Sequence, residues 1–222
     1  MQWRFLKLFG GLMACMAVVT GLMGPAAAQS IGLTVGSTGA GGEIGYDVSE
    51  MLGLRAVGAY FPYSHSITPS NITYDGDLRL MSFGGLADLY LFQSGIHLSG
   101  GAYLNRNRID IKGTPNSTVT IGSTAYTAAQ VGTLTGRVSF REIAPYAGIG
   151  YASNRGGHGF AFTADAGVMF QGGPRVVLAA NGPIATAPGF AANLESERQK
   201  IASDIDWLRF YPAVKLGVLY RF

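Results

Sequence analysis

The chain has 222 residues, enough for one domain. Sixteen Lys and Arg, less Arg4 and Lys7 at the very start, leave fourteen against thirteen Asp and Glu. That near-neutral, scattered balance argues against a nucleic-acid partner, which needs a clustered basic face. The chain is 48% hydrophobic and holds 33 glycines, yet no stretch after Ala28 is apolar for long enough to form a spanning helix. Its apolar surface must instead be spread over alternating strands.

The first elements concern export. Arg4 and Lys7 precede an apolar stretch from Leu8 to about Met23, then Gly24-Pro25 and three alanines. A charged start, an apolar middle and a small-residue end predict a signal peptide cleaved after Ala28. Cys15 in "LMAC" loosely resembles a lipoprotein cleavage box, but cleavage there would leave a mostly apolar, poorly tethering start. No cysteine follows Ala28, so neither disulfides nor a thiolate metal site contributes to residues 29–222.

In chain order, "LTVGSTGAGGEIGYDV" changes parity between Leu33/Val35 and Ile44/Tyr46, which predicts a hairpin. Ile44, Tyr46 and Val48 alternate with Glu43, Gly45 and Asp47. Over 73–92, Asp75, Asp77 and Arg79 share one parity and Asp88 has the other, so a bulge at Gly84-Gly85 is expected to bring them to one side. Leu98, Gly100, Ala102 and Leu104 oppose His97, Ser99, Tyr103 and Asn105. Leu134, Gly136, Val138 and Phe140 oppose Thr135, Arg137, Ser139 and Arg141. Phe160, Phe162, Ala164, Ala166, Val168 and Phe170 oppose Thr163, Asp165, Gly167 and Gln171. At the end, Val214, Leu216, Val218, Tyr220 and Phe222 oppose Ala213, Lys215, Gly217 and Arg221.

Apolar residues on one face, with small or charged ones on the other, fit a narrow polar lumen with lipid outside. A soluble β-sandwich shows the same alternation but leaves the repeated Arg, Asp and Glu beside so many glycines unexplained. In hydrocarbon only helices and closed barrels satisfy every backbone polar group, so the fold class is an all-β, up-and-down antiparallel transmembrane β-barrel over 29–222. Short turns at 49–51, 93–95, 141–144 and 171–173, with long connections at 64–72, 113–131 and 182–206, give ten strands. The count is eight if Pro145 and Pro174 lie within continuous strands. Residues 193–208 read as a short helix before the last strand. Asn193 would be its N-cap, Glu195 and Glu197 would lie in its first turn, and Leu194, Ile201, Ile205 and Leu208 would form an apolar stripe.

With its alternating apolar run ending in Tyr220-Arg221-Phe222, and with "PYAGIGY" at 145–151, the chain resembles the small Gram-negative outer-membrane barrels of the OmpA/OmpX/OmpW-like group. In that group a Pro-Tyr-x-Gly-x-Gly segment opens an outward strand. The resemblance implies residence in the cell outer membrane, among its lipid and lipopolysaccharide. It also implies that the barrel-assembly machinery reads Val214, Leu216, Val218, Tyr220 and Phe222 as an address. It does not select a function, because such barrels serve as scaffolds, channels, adhesins and enzymes.

The candidate site is a lumen charge set of Glu43, Arg55, Asp75, Asp77, Arg79, Asp88, Arg137, Asp165 and Lys215, since charges at membrane depth pair or line water. In a narrow barrel side chains fill the interior, so a structural or surface-interaction role with a filled lumen is expected. A narrow channel for ions or small polar solutes is the alternative. His97-x-Ser99 resembles the His-x-Ser of lipid A deacylases, where a histidine activates a serine. It lacks a carboxylate at a defined spacing, and a lipid A-modifying enzyme is the remote alternative. His65 and His158, without Cys or Glu at ligand spacing, read as exposed loop residues rather than metal ligands. No cofactor is expected. The loops, as read along the chain, carry neither an aromatic cluster nor a dense charge patch that would name an extracellular ligand.

Overall fold

The computed structural model describes residues 29–222 apart from 68–71, 92–93 and 156; the expected signal peptide lies outside the described residues. Strands β1 (Ser30–Gly36), β2 (Gly39–Asp47), β3 (Leu52–Ile67), β4 (Ile72–Tyr90), β5 (Ile96–Asn105) and β6 (Arg108–Pro115) come first. A small hairpin, β7 (Val119–Ile121) and β8 (Thr124–Tyr126), and a one-turn helix α1 (Ala128–Val131) follow. Then come β9 (Leu134–Ser139), β10 (Ile143–Ala152), β11 (Gly159–Phe170), β12 (Arg175–Ala180), helix α2 (Pro188–Asp204) and β13 (Phe210–Arg221).

Antiparallel pairing closes a ring in the order β4, β3, β2, β1, β13, β11, β10, β5 and back to β4. Its members run eight abreast, the smaller of the two counts read from the sequence. The difference lies in two breaks that look like turns. Ser82↔Asn105 and Arg79↔Arg108 keep one register, so β5 and β6 are a single strand interrupted only at 106–107. β9 and β10 likewise continue one another against it. Between Tyr146↔Met169 and Ser139↔Arg175, six residues (140–145) face five (170–174), so one extra residue bulges the wall. Gly172 takes a positive φ of 72° there, which supplies the bend without reversing the chain. Pro145 therefore sits inside a continuous wall, and "PYAGIGY" runs back toward the end carrying both termini rather than outward.

The predicted hairpin forms, with Gly39 at φ 117° closing the two-residue connection. The predicted bulge at Gly84-Gly85 does not: β4 keeps an unbroken register with β3 from Leu52↔Leu89 to Ile67↔Tyr74. Asp75, Asp77 and Arg79 thus stay on the face opposite to Asp88.

Outside the ring, the far halves of β3 and β4 continue with β6, β9 and β12 as a five-stranded flange. Along β6 it extends about 25 Å at a strand's rise per residue. Polarity inverts there. Within the ring the outward face carries Leu33, Leu54, Phe83, Leu104, Ile149, Phe162 and Leu216, each about half exposed or more. On the flange the same outward face carries Asp75, Asp77, Arg79, Arg108, Asp110 and Arg137, while Val138 and Val176 are buried on the inner face. Lipid surrounds the ring and water surrounds the flange, so each part turns the matching face outward.

A lobe covers part of the inner flange. Val119, Ile121, Tyr126, Val131 and Phe190 form its core, with Leu134, Ala180, Ile184, Ala187 and Leu194 packed on it. Helix α2 begins at Pro188, five residues before the expected start, because a proline at the first helical position costs no hydrogen bond. Asn193 is therefore not a cap. Its amide donates to Thr124 Oγ1 (3.1 Å) and to the Tyr126 hydroxyl (2.8 Å), pinning the helix to the small hairpin.

Candidate functional site

The lumen is built in layers. Inward-facing residues of β2, β3, β4, β5, β11 and β13 converge on Arg55, whose side chain is 8% exposed. Its Nε lies 2.5 Å from Asp88, its terminal nitrogens reach Asp165 at 2.8 and 3.2 Å, and Glu43 stands at 3.5 Å. Lys215 Nζ is 2.7 Å from Glu43 and 3.5 Å from Asp165. Two cations thus hold three carboxylates in a nearly dry shell, the pairing that buried charge requires.

Of the nine residues expected to share the lumen, Glu43, Arg55, Asp88, Asp165 and Lys215 meet in this cluster. Asp75, Asp77, Arg79 and Arg137 do not: all four are exposed on the outer face of the flange. Asp75 accepts a hydrogen bond from Ser66 (2.6 Å), Asp77 from Ser64 (2.5 Å), and Arg137 donates to Asp110 (2.5 Å). Polar parity marked the lumen only while the strand stayed at membrane depth.

His97 and Ser99 belong to the same layer but lean on different carboxylates. The Ser99 hydroxyl donates to Asp88 (2.6 Å), whereas His97 Nε2 faces Asp165 (3.2 Å). In the His-x-Ser arrangement the histidine takes the serine's proton, but here that hydroxyl donates to Asp88 instead. His158 lies in the connection between β10 and β11, as read, whereas His65 is not in a loop: the expected 64–72 connection is shorter, and His65 pairs with Gly76 inside β3. Among the described residues no group of three or more His, Cys, Asp or Glu is arranged to hold a metal ion.

Toward the far end an apolar layer follows: Val57, Leu86, Tyr103, Ala144, Tyr146, Met169 and Ala213, with Tyr211 against them. The Tyr103 and Tyr146 rings pack edge to face, their centroids 5.4 Å apart. Inward-facing glycines make room for them. A Cβ on Gly84 would stand 2.7 Å from the Tyr103 ring, and one on Gly167 2.7 Å from that of Tyr146. Above this layer Asn105 donates to Gln171 (2.9 Å), which donates to the Leu208 carbonyl (2.9 Å).

Toward the terminal end, Arg221 pairs with Asp47 (2.8 Å). Arg155, from the connection between β10 and β11, lies 3.2 Å over the Tyr90 ring and donates to the Ser49 carbonyl (3.2 Å). The void between these groups and the Arg55 cluster measures about 10 Å³, room for about one water. Sequence reading missed the apolar layer and the Arg155 latch. Tyr103 was legible as inward-facing, but nothing in its spacing says that Tyr146 meets it across the barrel.

A closed antiparallel ring with an apolar exterior and a charged, packed interior defines a transmembrane β-barrel. Among solved structures the chain is similar to Acinetobacter baumannii CarO2 (TM-score 0.59, 22% identity, covering 88% of this chain and 99% of that one). It is similar also to Acinetobacter baumannii CarO (TM-score 0.58, 22% identity, covering 90% and 100%). At that identity the likeness establishes a shared fold. No protein-family model and no curated protein matches the sequence.

Proposed function

We propose that the protein is an exported outer-membrane barrel, occluded by its own side chains, that acts at the cell surface through its flange and lobe. The carrying observation is the stack of an ionic layer, an apolar Tyr103–Tyr146–Met169 layer and an Asn105–Gln171 layer across one lumen. The void beside the Arg55 cluster, about 10 Å³, holds about one water and leaves no room there for a hydrated ion. On this reading the Arg55 cluster staples the wall and performs no chemistry, so the protein is not an enzyme.

The exposed row Val214, Leu216, Val218 and Tyr220 on β13, continued by Phe222 just past its end, supports contact with outer-membrane lipid and recognition of the last strand by the barrel-assembly machinery. Placement in the OmpA/OmpX/OmpW-like group rests on that strand and on the barrel's size. The test is single-channel conductance of the folded protein in a planar bilayer, beside a Tyr103→Ala/Tyr146→Ala variant that empties the apolar layer. A silent native protein is expected. Discrete steps from it would overturn the occluded reading in favour of a narrow channel for ions or small polar solutes.

A further inference from the structure

The flange meets the barrel at a sharply patterned boundary. Phe83↔Leu104 and Leu104↔Ile143 are successive register partners, 49%, 49% and 59% exposed, forming the top row of the apolar belt on this side. Four residues further along the same strands lies a row of opposite character, with Arg79↔Arg108, Arg108↔Ser139 and Ser139↔Arg175 as successive partners. At a strand's rise and the usual barrel tilt that is roughly 10 Å above the belt, the depth of lipid headgroups. Arg106 and Arg141 are exposed between the two rows.

This row is short of negative charge. Arg79 and Arg108 face each other directly, a like-charge pairing that destabilises a sheet. Among the described residues Arg79, Arg141 and Arg175 make no ion pair. Arg108 (3.1 Å) and Arg137 (2.5 Å) share the single carboxylate of Asp110, and Arg106 reaches Glu142 only at 4.0 Å. The remaining acids of this face, Asp77 and Asp75, lie one and two rows farther from the membrane and are engaged by Ser64 and Ser66. Five arginines (Arg79, Arg106, Arg108, Arg141 and Arg175) thus gather where the sheet leaves the bilayer, while the three acids lie farther out, with Arg137 and Lys112 among them.

We propose that this arginine belt binds the phosphate groups of anionic glycolipid in the leaflet beneath the flange, with acyl chains lying on the Phe83–Leu104–Ile143 face. Guanidinium forks match phosphate oxygens in geometry as well as charge. A lipid phosphate would offset the Arg79–Arg108 opposition, which Asp110 relieves only on the Arg108 side and shares with Arg137. Continuity with the lipid-facing wall favours a membrane headgroup over a free anion. The inference rests on the outer-membrane placement proposed above.

The test folds the full mature chain into phosphatidylcholine nanodiscs doped with diphosphorylated lipid A or with its dephosphorylated form, and counts retained glycolipid by native mass spectrometry. Three charge-assisted contacts predict a preference of at least roughly tenfold for the phosphorylated form. The Arg79→Gln/Arg108→Gln/Arg175→Gln variant should lose it, and Lys200→Gln, at an exposed cation on α2, should not. Heat-resistant compaction on a gel checks that each variant is folded, and the corresponding Arg→Lys triple should keep part of the preference. Equal retention of both lipids, or full retention by the Gln triple, overturns the proposal. Complete competition by millimolar inorganic phosphate would overturn the lipid assignment in favour of a free-anion site. Failure to insert into plain phosphatidylcholine would instead bring down the membrane reading itself, which separates the two results.

Discussion

Replacing Arg55 by Met keeps much of the side-chain volume and removes the charge on which Glu43, Asp88 and Asp165 converge. Lys215 then remains for Glu43 and Asp165, at 2.7 and 3.5 Å, but Asp88 keeps only the Ser99 hydroxyl. Asp88 has no exposed surface, so it becomes an unpaired buried carboxylate. Removing one partner of a buried pair costs about 3–5 kcal/mol, and this position should fall in that range at neutral pH. Asp88→Asn in the same background should recover about 2 kcal/mol, a coupling within the range for groups in contact. Urea unfolding in detergent micelles, followed by far-ultraviolet circular dichroism and by gel mobility, measures both. The slope against urea should stay the same, because the surface exposed on unfolding is unchanged. Arg55→Met and the double variant both unfolding within about 0.5 kcal/mol of the native protein would refute the idea that this cluster is a dry, mutually compensating unit.

Gly84→Ala should cost about 1–3 kcal/mol by the same assay, since the new methyl meets both the Tyr103 ring at 2.7 Å and Val57 at 3.0 Å. Recovery by Tyr103→Leu would identify the clash as the cause. Leu216→Lys, on the lipid face of β13, should destabilise by about 2–4 kcal/mol in bilayers, and an unchanged midpoint would place that face in water. On α2 the Arg198 guanidinium, with Gln199 beside it, holds the Glu195 carboxyl down at about 2. Because that value is lowered, whatever the contact adds to the lobe is present at neutral pH and lost as pH falls through about 2. Carboxyl carbon shifts should show that midpoint, and Arg198→Ala should return it to the ordinary range near ~4.3.

Alternation made the ring legible because lipid outside and packed charge inside impose period two on every strand. The faces of β2, β5, β11 and β13 were each read correctly down to single residues. The same rule misassigned Arg137 and Asp75, because sequence marks which residues share a face but not where the bilayer ends along the strand. Beyond that plane the polar face must turn outward, and Val138 rather than Arg137 points in. The strand count faltered for a related reason: Gly172-Gly173-Pro174 has the composition of a turn, but one bulged residue and one positive φ bend the wall without ending it. Nor did any loop carry a dense charge patch along the chain. Arg79, Arg108 and Arg175 are far apart in sequence, and only the register across β4, β6, β9 and β12 sets them in one row.

β4 carries two lifetimes in one strand. From Ser82 to Tyr90 it is paired on both sides within a closed ring, and from Thr73 to Arg79 it belongs to an open sheet. Amides in the first stretch should exchange with solvent only when the whole barrel opens, and those in the second whenever the flange frays. Midway along a single hydrogen-bonded ribbon, protection should therefore step from hours or days to minutes with no hinge or loop to mark the place. A molecule that settles on the flange would slow the fast half toward the slow one, so the exchange profile of β4 would record occupancy at the surface without a label.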